Sequence, residues 1–548
     1  MEDCPLEVWN YANLWESVAQ ATPERPALIH GDRVVKWRDF DRRANALAQH
    51  FIDAGLTHQS KVAAYLYNAP EYIETYFAAF KGGFAPFNTN YRYGGDELTY
   101  LFDNADAEAV VFHASFAEMA DKVRGDLPKV KTWVAVAEPG HPAPAWAADY
   151  DAIVAGGADR VEGPWGRSAD DLLLMYTGGT TGMPKGVMWR QEDLFKGLGG
   201  GANLLLGLPP MERVAEAGER AKAVEASGEQ PITIPVAPLM HATGQFIGFG
   251  QLISGGAVAT LPSRKFNPAE LFDEVERLGV SGLIIVGPAF AAPMLETLDA
   301  NPGKWAMASL KRIISSGAMW GAENKQGLLK HLPNIMLMDS LGSSEALGLA
   351  SSVSGGGAAA GTAKFTTGPN AAVFTEEGER VLPGSGVRGL VAVGGFTPSG
   401  YYKDPEKSAK TFRTFEGKRW SVPGDWATIE EDGSITLLGR GSQVINTGGE
   451  KVFPEDVEEA LKRFPGVRDA AVVGVPDPRF GERICAIVET AGGATPSLAD
   501  LATHVKGLLA DYKAPRELVL APVNRAPNGK LDYKTLKALA VEKLAAKV

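Results

Sequence analysis

Two cysteines in 548 residues, Cys4 and Cys485, are too few to build a metal cluster from thiolates, and a bridge between such distant positions cannot be argued from sequence. Both are expected to be reduced bystanders. Positive charge is also scarce: 54 lysines and arginines face 66 acidic residues, leaving a net charge of -12. That balance excludes a broad surface neutralising the phosphates of a nucleic acid, but not a small anion held by a few local cations. No run of about 18 apolar residues is present to span a bilayer. Met1-Glu2-Asp3-Cys4 leads into no basic stretch followed by an apolar segment. Together these absences predict a cytoplasmic protein with no nucleic-acid partner and no integral membrane segment.

The composition that is present, 45% hydrophobic and 22% charged, is ordinary for globular proteins and supplies several cores at roughly 100–200 residues per domain. Trp37, Phe40, Ala44, Leu47, Ala48 and Phe51 recur at spacings of three and four, with Gly55 beyond them as a stop, which predicts an amphipathic helix. A strand at Val62–Tyr67 and a helix near Tyr72–Lys81 follow. Further apolar strands are expected at Ala109–Phe112, Trp133–Val136, Leu172–Tyr176, Leu283–Val286 and Ile313–Ser315, with a helix at Ala269–Leu278. Strands alternating with helices predict layered α/β architecture with parallel sheet.

Residues 211–230 are charged and alanine-rich and read as a solvated helix inserted between two motifs, and residues 354–361 read as a flexible surface loop. Beyond Gly439 the pattern changes. A helix opened by Pro454, with Val457, Leu461 and Phe464 on one face, precedes strands at Ala471–Val475 and Ile484–Val488 and a helix at Leu498–Leu509. The expected organisation is an α/β chain: a large, multi-subdomain N-terminal domain (1–438), a hinge (439–442) and a small C-terminal α+β domain (443–548).

Chemistry concentrates first in "YTGGTTGMPKGVMW", Tyr176 to Trp189. Glycines there let backbone N–H groups converge on oxygens, while Thr177, Thr180, Thr181 and Lys185 add donors, a combination suited to phosphate. The Walker A arrangement is absent, because Lys185 lies between Pro184 and Gly186. A second glycine pattern, "GSGVRG" at Gly384 to Gly389, matches the dinucleotide fingerprint by letter but runs into the strand-like Leu390-Val391-Ala392-Val393. With no helix N-terminus to receive a phosphate, it reads as turn chemistry.

The chain resembles the adenylate-forming superfamily of acyl-CoA synthetases, luciferases and peptide-synthetase adenylation domains. The motifs occur in that family's order: "TGGTTGMPKG", "PLMHATG" (Pro238–Gly244), "DSLGSSEA" (Asp339–Ala346), "GYY" (Gly400–Tyr402), "PGDW" (Pro423–Trp426), "GRGSQVINTGGEKVFPEDVE" (Gly439–Glu458), "VVGVPDPRFGE" (Val472–Glu482) and "PNGKLDYK" (Pro527–Lys534). Within it, the match is nearest to bacterial fatty-acyl and steroid side-chain acyl-CoA ligases.

The resemblance implies an acid–thiol ligase that uses ATP, Mg2+ and coenzyme A to activate a carboxylic acid as acyl-AMP and pass it to the CoA thiol. Gly178, Gly179, Gly182 and Lys185 would join the threonines around the β- and γ-phosphates. Glu345 would help hold Mg2+, with Ser344 beside it in the nucleotide site. Asp425 offers two acceptors for the ribose hydroxyls; Arg440 would lie near ribose or phosphates, and Gly317 along adenine and the acyl group. His241 would line the acyl entrance rather than act as a base, since a carboxylate is already ionised at pH 7.

Lys530 would bridge the substrate carboxylate and the α-phosphate. Gly448-Gly449 would reach the pantetheine tunnel after rotation of the C-terminal domain about Ser442. Leu341 stands where relatives often place an aromatic over adenine. Phe246, Phe249, Phe290 and Trp320 are candidate acyl-pocket walls, with ordinary core packing equally open. An aryl or other carboxylate–CoA ligase, an enzyme loading a carrier-protein thiol, a non-catalytic nucleotide binder and a homo-oligomer remain open alternatives.

Overall fold

The alternation of apolar strands and amphipathic helices becomes two large sheets with parallel centres. The computed structural model describes residues 7–179, 182–202, 208–318, 320–356, 359, 361, 364–447, 450–477, 481–509, 511–526 and 529–545. In one sheet the spatial order is Gly400–Tyr401, Gly182–Arg190, Leu172–Gly179, Ala85–Asn88, Lys61–Tyr65, Ala107–His113, Thr132–Val136 and Ala148–Asp149. Strands from Leu172–Gly179 onward are parallel, and Gly182–Arg190 folds back antiparallel on Leu172–Gly179.

The second sheet runs parallel through Pro26–His30, Ala257–Thr260, Ile232–Pro235, Gly282–Ile285, Arg312–Ser316 and Met336–Ser343. It then continues as an antiparallel extension that begins with Ala346–Ser354 and includes Asp425–Ile429 and Ile435–Arg440.

Helices seal the space between the sheets. The predicted helix spans Trp37–Asp53, and the next spans Pro70–Lys81, where Pro70 occupies the first turn without losing a helical donor. Their inner faces meet Tyr11–Ala21 and Ala242–Ile253 in an aromatic core. Trp15 lies 5.2 Å from Phe77 and 5.1 Å from Phe249, edge to face, and Phe40 lies 4.7 Å from Phe77. Each such side chain contributes roughly 1.5–3 kcal/mol by leaving water. Lys81 is fully buried in this layer and donates to Glu16 (2.6 Å) and Asp41 (2.8 Å), while Arg167 also grips Glu16, so the charge is paired rather than stranded.

The inserted helix, Glu216–Ser227, is not solvated all round. Ala217, Gly218 and Ala221 are buried against the first helix, and the Gly218 N–H donates to Ser17 Oγ at 3.1 Å. A Cβ at Gly218 would stand 2.6 Å from the Ser17 carbonyl, so small residues permit the close crossing that the charged outer face conceals in the sequence. The "GSGVRG" segment leads into strand Gly389–Gly394, with Gly384 and Gly386 at φ 71° and 68°, as turn chemistry requires. Of the loop expected at 354–361, Ser354 ends a strand, and residues 357, 358 and 360 lie outside the described residues.

The last sheet contains Glu450–Val452, Ile445–Thr447, Gly481–Thr490 and Val467–Asp477, with Glu517–Leu520 parallel to Gly481–Thr490. Along Val467–Asp477, Ala470 and Val472 face helices Pro454–Lys462 and Leu498–Leu508. Ala471, Val473 and Val475 face Tyr533–Ala545. Alternate side chains thus serve opposite faces, which is why this strand is apolar from Ala470 to Val475. Cys485 is buried in the neighbouring strand Gly481–Thr490 with no disulfide, while Cys4 lies outside the described residues.

Candidate functional site: a cleft closed by the C-terminal lobe

The glycine-rich stretch folds as a β-hairpin rather than as a loop leaving a strand. Thr177 pairs with Lys185 and Gly179 with Gly182, and Thr180 and Thr181 lie outside the described residues. Pro184 and two glycines hid the returning strand, because those residues ordinarily argue against one. The Lys185 ammonium forms an ion pair with Asp404, which also caps helix Pro405–Thr411 by accepting from the Lys407 N–H at 2.9 Å.

Two asparagines, Asn88 at the end of Ala85–Asn88 and Asn68 three residues beyond Lys61–Tyr65, fasten this region, and sequence reasoning missed both. Asn88 donates to the Tyr176 and Met240 carbonyls at 2.8 and 2.7 Å and accepts from the Tyr176 N–H at 2.7 Å. Asn68 donates to the Pro235 and Ala237 carbonyls and accepts from the Leu239 N–H. Their available signal was an amide directly after an apolar run, in "AYLYN" and "FAPFN". Thus Asn88 ties the hairpin's base to the segment that carries His241. A narrow cavity lined by Asn88, Asn90, Tyr93, Tyr176, Met240 and His241 lies at this junction.

His241 occupies the N-cap position of helix Ala242–Ile253 without its side chain capping it. Desolvation lowers its imidazole pKa to about 4, and the Lys530 and Arg92 charges push in the same direction. The ring is therefore neutral at pH 7, consistent with a lining role. Gly317 follows strand Arg312–Ser316 at φ 88°; a Cβ there would stand 3.8 Å from both Thr243 Oγ1 and Val286 Cγ1.

Glu345 lies in the turn between Met336–Ser343 and Ala346–Ser354. Its Oε1 accepts from the Tyr401 hydroxyl at 2.7 Å and its carbonyl from Ser421 Oγ at 2.6 Å, while the neighbouring Ser344 carbonyl accepts from Trp189 Nε1 at 2.8 Å. Tyr401 in turn pairs with Val187 on the hairpin. Through Trp189 and Tyr401, carboxylate and hairpin share one frame. No group of three His, Cys, Asp or Glu side chains among the described residues converges on a metal position. A single carboxylate joined to the glycine-rich hairpin through Tyr401 nevertheless has the hard oxygen donors that suit Mg2+, which commonly binds through one or two carboxylates plus phosphates.

Asp425 is buried at the start of Asp425–Ile429 and is in register with Arg440, whose side chain lies outside the description. Leu341 is half-buried against the core of the antiparallel extension. Phe246 and Phe249 belong to the aromatic core, and Phe290 and Trp320 to the core of the second sheet, so packing accounts for all four. Gly448 and Gly449 lie outside the described residues.

The C-terminal lobe meets the large lobe at the turn that holds Ala526, Gly529 and the exposed Lys530. Ala526 N–H donates to the Lys530 carbonyl at 2.9 Å and Gly529 N–H to the Ala526 carbonyl at 2.7 Å. Gly529 is buried at φ 74°, and a Cβ there would stand 3.0 Å from the Val286 carbonyl and 3.2 Å from Ala289 Cβ. That fit seats the turn against the corner after Gly282–Ile285, and the Lys530 charge adds to the lowering of the His241 pKa.

The AMP-binding enzyme family profile matches residues 15–402, and the AMP-binding enzyme C-terminal domain profile matches 456–530. A medium/long-chain-fatty-acid–CoA and 3-oxocholest-4-en-26-oate–CoA ligase of Mycolicibacterium smegmatis is 40% identical over 549 residues, covering 98% of either chain. The chain belongs to the AMP-binding enzymes, as an adenylate-forming acyl-CoA ligase. A 3-oxocholest-4-en-26-oate–CoA ligase of Rhodococcus rhodochrous is likewise 40% identical, with 96% of this chain and 95% of that one covered. Among solved structures, an anthranilate CoA ligase holding anthranoyl-AMP superposes on this acyl-CoA ligase with a TM-score of 0.82 at 21% identity. It covers 100% of this chain and 99% of its own. ATP-bound MatB from Rhodopseudomonas palustris gives 0.78 at 24%, covering 97% and 99%. These two likenesses bear on the fold. Among the described residues, no helix is long and apolar enough to cross a membrane.

Proposed function

We propose that this ligase joins a medium- or long-chain fatty acid, or the side-chain carboxylate of a steroid, to coenzyme A, with Lys530 as the mobile catalytic cation. The substrate range is supported by the names of relatives similar over the whole chain. The observation that carries the catalytic reading is the seating of the Lys530 turn against Val286 and Ala289, with its charge felt by His241.

In the first step the substrate carboxylate oxygen attacks the α-phosphorus of ATP; the new O–P bond forms as the bond to the β-phosphate's bridging oxygen breaks, and pyrophosphate leaves. Two anions must meet, so a cation between them lowers the barrier by charge stabilisation and positioning. Thr177, Thr180, Thr181, Gly178, Gly179, Gly182 and Lys185 would bind the outgoing phosphates, with Lys185 exchanging Asp404 for them. Glu345, oriented by Tyr401, would hold Mg2+, which when bound neutralises phosphate charge. Asp425 would take the ribose hydroxyls, with Arg440, Ser344 and Gly317 along the nucleotide. In the second step the sulfur of the CoA thiol attacks the acyl carbon, a C–S bond forms, AMP departs with the C–O electrons and the thiol proton passes to solvent.

The second step requires Lys530 to withdraw and the lobe carrying Gly448 and Gly449 to turn. We assign the hinge to residues 439–442, between a lobe of 1–438 and a lobe of 443–548. Support comes from strand Ile435–Arg440 belonging to the large sheet and Ile445–Thr447 to the small one.

A panel of carboxylic acids tests the reading through pyrophosphate exchange, AMP release and thioester formation, with and without CoA. Exchange should need acid but no CoA, and net thioester formation should need both, with apolar acids preferred over acetate. Transfer only to a carrier-protein thiol, or no acid-dependent exchange, overturns it.

A further inference from the structure

The Lys530 turn hangs from a side chain outside the residues assigned above. Arg525 lies five residues beyond the end of strand Glu517–Leu520 and just before the turn, and its guanidinium forks onto Asp469, with Nε 2.6 Å from Oδ2 and Nη2 2.9 Å from Oδ1. Its remaining nitrogen, Nη1, donates to the Gly529 carbonyl at 3.2 Å. Asp469 is itself fixed near the start of strand Val467–Asp477, where Oδ1 also accepts from the Ala470 N–H at 2.8 Å. Both side chains are about four-fifths covered.

Beneath the pair, buried Glu458 accepts from the Val472 N–H at 2.9 Å and from the Tyr533 hydroxyl at 3.0 Å, tying helix Pro454–Lys462, the strand and the last helix together. A planar fork with one face for a carboxylate and a nitrogen left for a carbonyl is a geometry that lysine cannot reproduce. The carbonyl it holds belongs to the peptide joining Gly529 to Lys530. The direction of that carbonyl therefore sets the plane from which the Lys530 side chain departs.

We propose that Arg525, anchored by Asp469, is a positioning residue for adenylation, holding the Gly529–Lys530 peptide so that the lysine leaves the turn toward the reacting anions. The proposal rests on the reading of Lys530 given above. Arg525 acts through Lys530 and touches neither acid nor nucleotide. Once the lobe has turned and Lys530 has left the cleft, the constraint has no work in the thioester step.

The test is a cycle of Arg525→Met, Lys530→Ala and the double variant, each measured by acid-dependent pyrophosphate exchange and by thioester formation from supplied acyl-AMP. Arg525→Met is expected to lower the exchange kcat by roughly 10²-fold, the scale of a misplacement near 1 Å, while KM for ATP and acid and the thioester step stay close to the parent's. Added to Lys530→Ala, it should cost nothing further, because the group it positions is gone.

Arg525→Lys, which keeps the charge and loses the fork, should fall between Arg525→Met and the parent, and it supplies the readout if the methionine variant does not fold. Parallel loss of both half-reactions would make Arg525 a general stabiliser and overturn the proposal. Additive loss in the double variant, or full exchange by Arg525→Met beside a crippled Lys530→Ala, would overturn it and leave the reading of Lys530 standing. Full exchange by Lys530→Ala alone would remove that reading, and the proposal with it.

Discussion

The two lobes hold their site residues in different ways. In the large lobe, Asn88 joins positions separated by 88 and 152 residues, and Trp189 reaches a carbonyl 155 residues away, so the frame is a product of long-range crossings. In the small lobe the Lys530 turn closes on itself within Ala526–Lys530 and is braced by Arg525, which lies four residues from Gly529. The difference teaches that a fixed receptor can be paired with a locally organised element, which under the proposed hinge would travel as a unit. A hinge can move the second without dismantling the first.

Removing the Lys530 charge breaks this comparison most directly. Lys530→Ala is expected to lower pyrophosphate exchange by roughly 10³-fold, at the upper end for loss of one preorganised charge-stabilising group, while thioester formation from supplied acyl-AMP is largely spared; half-reaction assays decide it. On the fixed side, Asn88→Ala leaves a buried N–H and two carbonyls without their side-chain partner, and should cost roughly 3 kcal/mol of stability, read by denaturant unfolding. It should impair both half-reactions together.

Gly529→Ala tests the seat itself. With φ at 74° and only 3.0 Å to the Val286 carbonyl, the added methyl should lower exchange by roughly 10²-fold and spare the thioester step. Ser442→Pro fixes φ at the proposed hinge, and overall turnover should fall by a larger factor than exchange; equal losses would argue against a hinge there.

The smallest effect expected is in pH dependence, where the lobes should titrate in opposite senses. The depressed His241 contributes stability that is full above its ordinary 6.5 and is lost as pH falls through about 4. Burial raises Glu458 to about 7 against the opposing charges of Lys462 and Arg525. Its contribution is full below the ordinary 4.5 and is lost as pH rises through about 7. Glu458→Gln, which keeps an acceptor for Val472 and Tyr533, should therefore gain a few degrees of Tm relative to the parent as pH rises from about 5 to about 8. A constant difference across that range would show that Glu458 ionises in the fold as it does in the unfolded chain.

Much of the scaffold was legible because periodicity and burial are coupled locally. The helix from Trp37 and the parallel strands around Val62, Ala109 and Trp133 are each found where apolar spacing places them. The small lobe's Pro454–Lys462, Val467–Asp477, Gly481–Thr490 and Leu498–Leu508 likewise contain the expected segments to within a residue or two. The returning strand Gly182–Arg190 was not legible, since its glycines and proline resemble turn chemistry until its partner is known. Nor was the buried face of Glu216–Ser227, because small residues record a close helix crossing only when the opposing helix is in view. Asn68 and Asn88 gave no periodic signal at all; their meaning lies in carbonyls far along the chain.

What the sequence by itself determined is the class of architecture and the chemistry: apolar repeats specify the layers, and the ordered motifs specify a ligase that makes an acyl adenylate. Only the tertiary structure decided where Lys530 rests, which asparagine locks the glycine-rich hairpin to the His241 segment, and which side chain holds the lysine's turn. The reason is physical. Burial periodicity is written residue by residue, whereas the seat of one lobe on another depends on shapes and charges contributed by segments that meet only after both have folded.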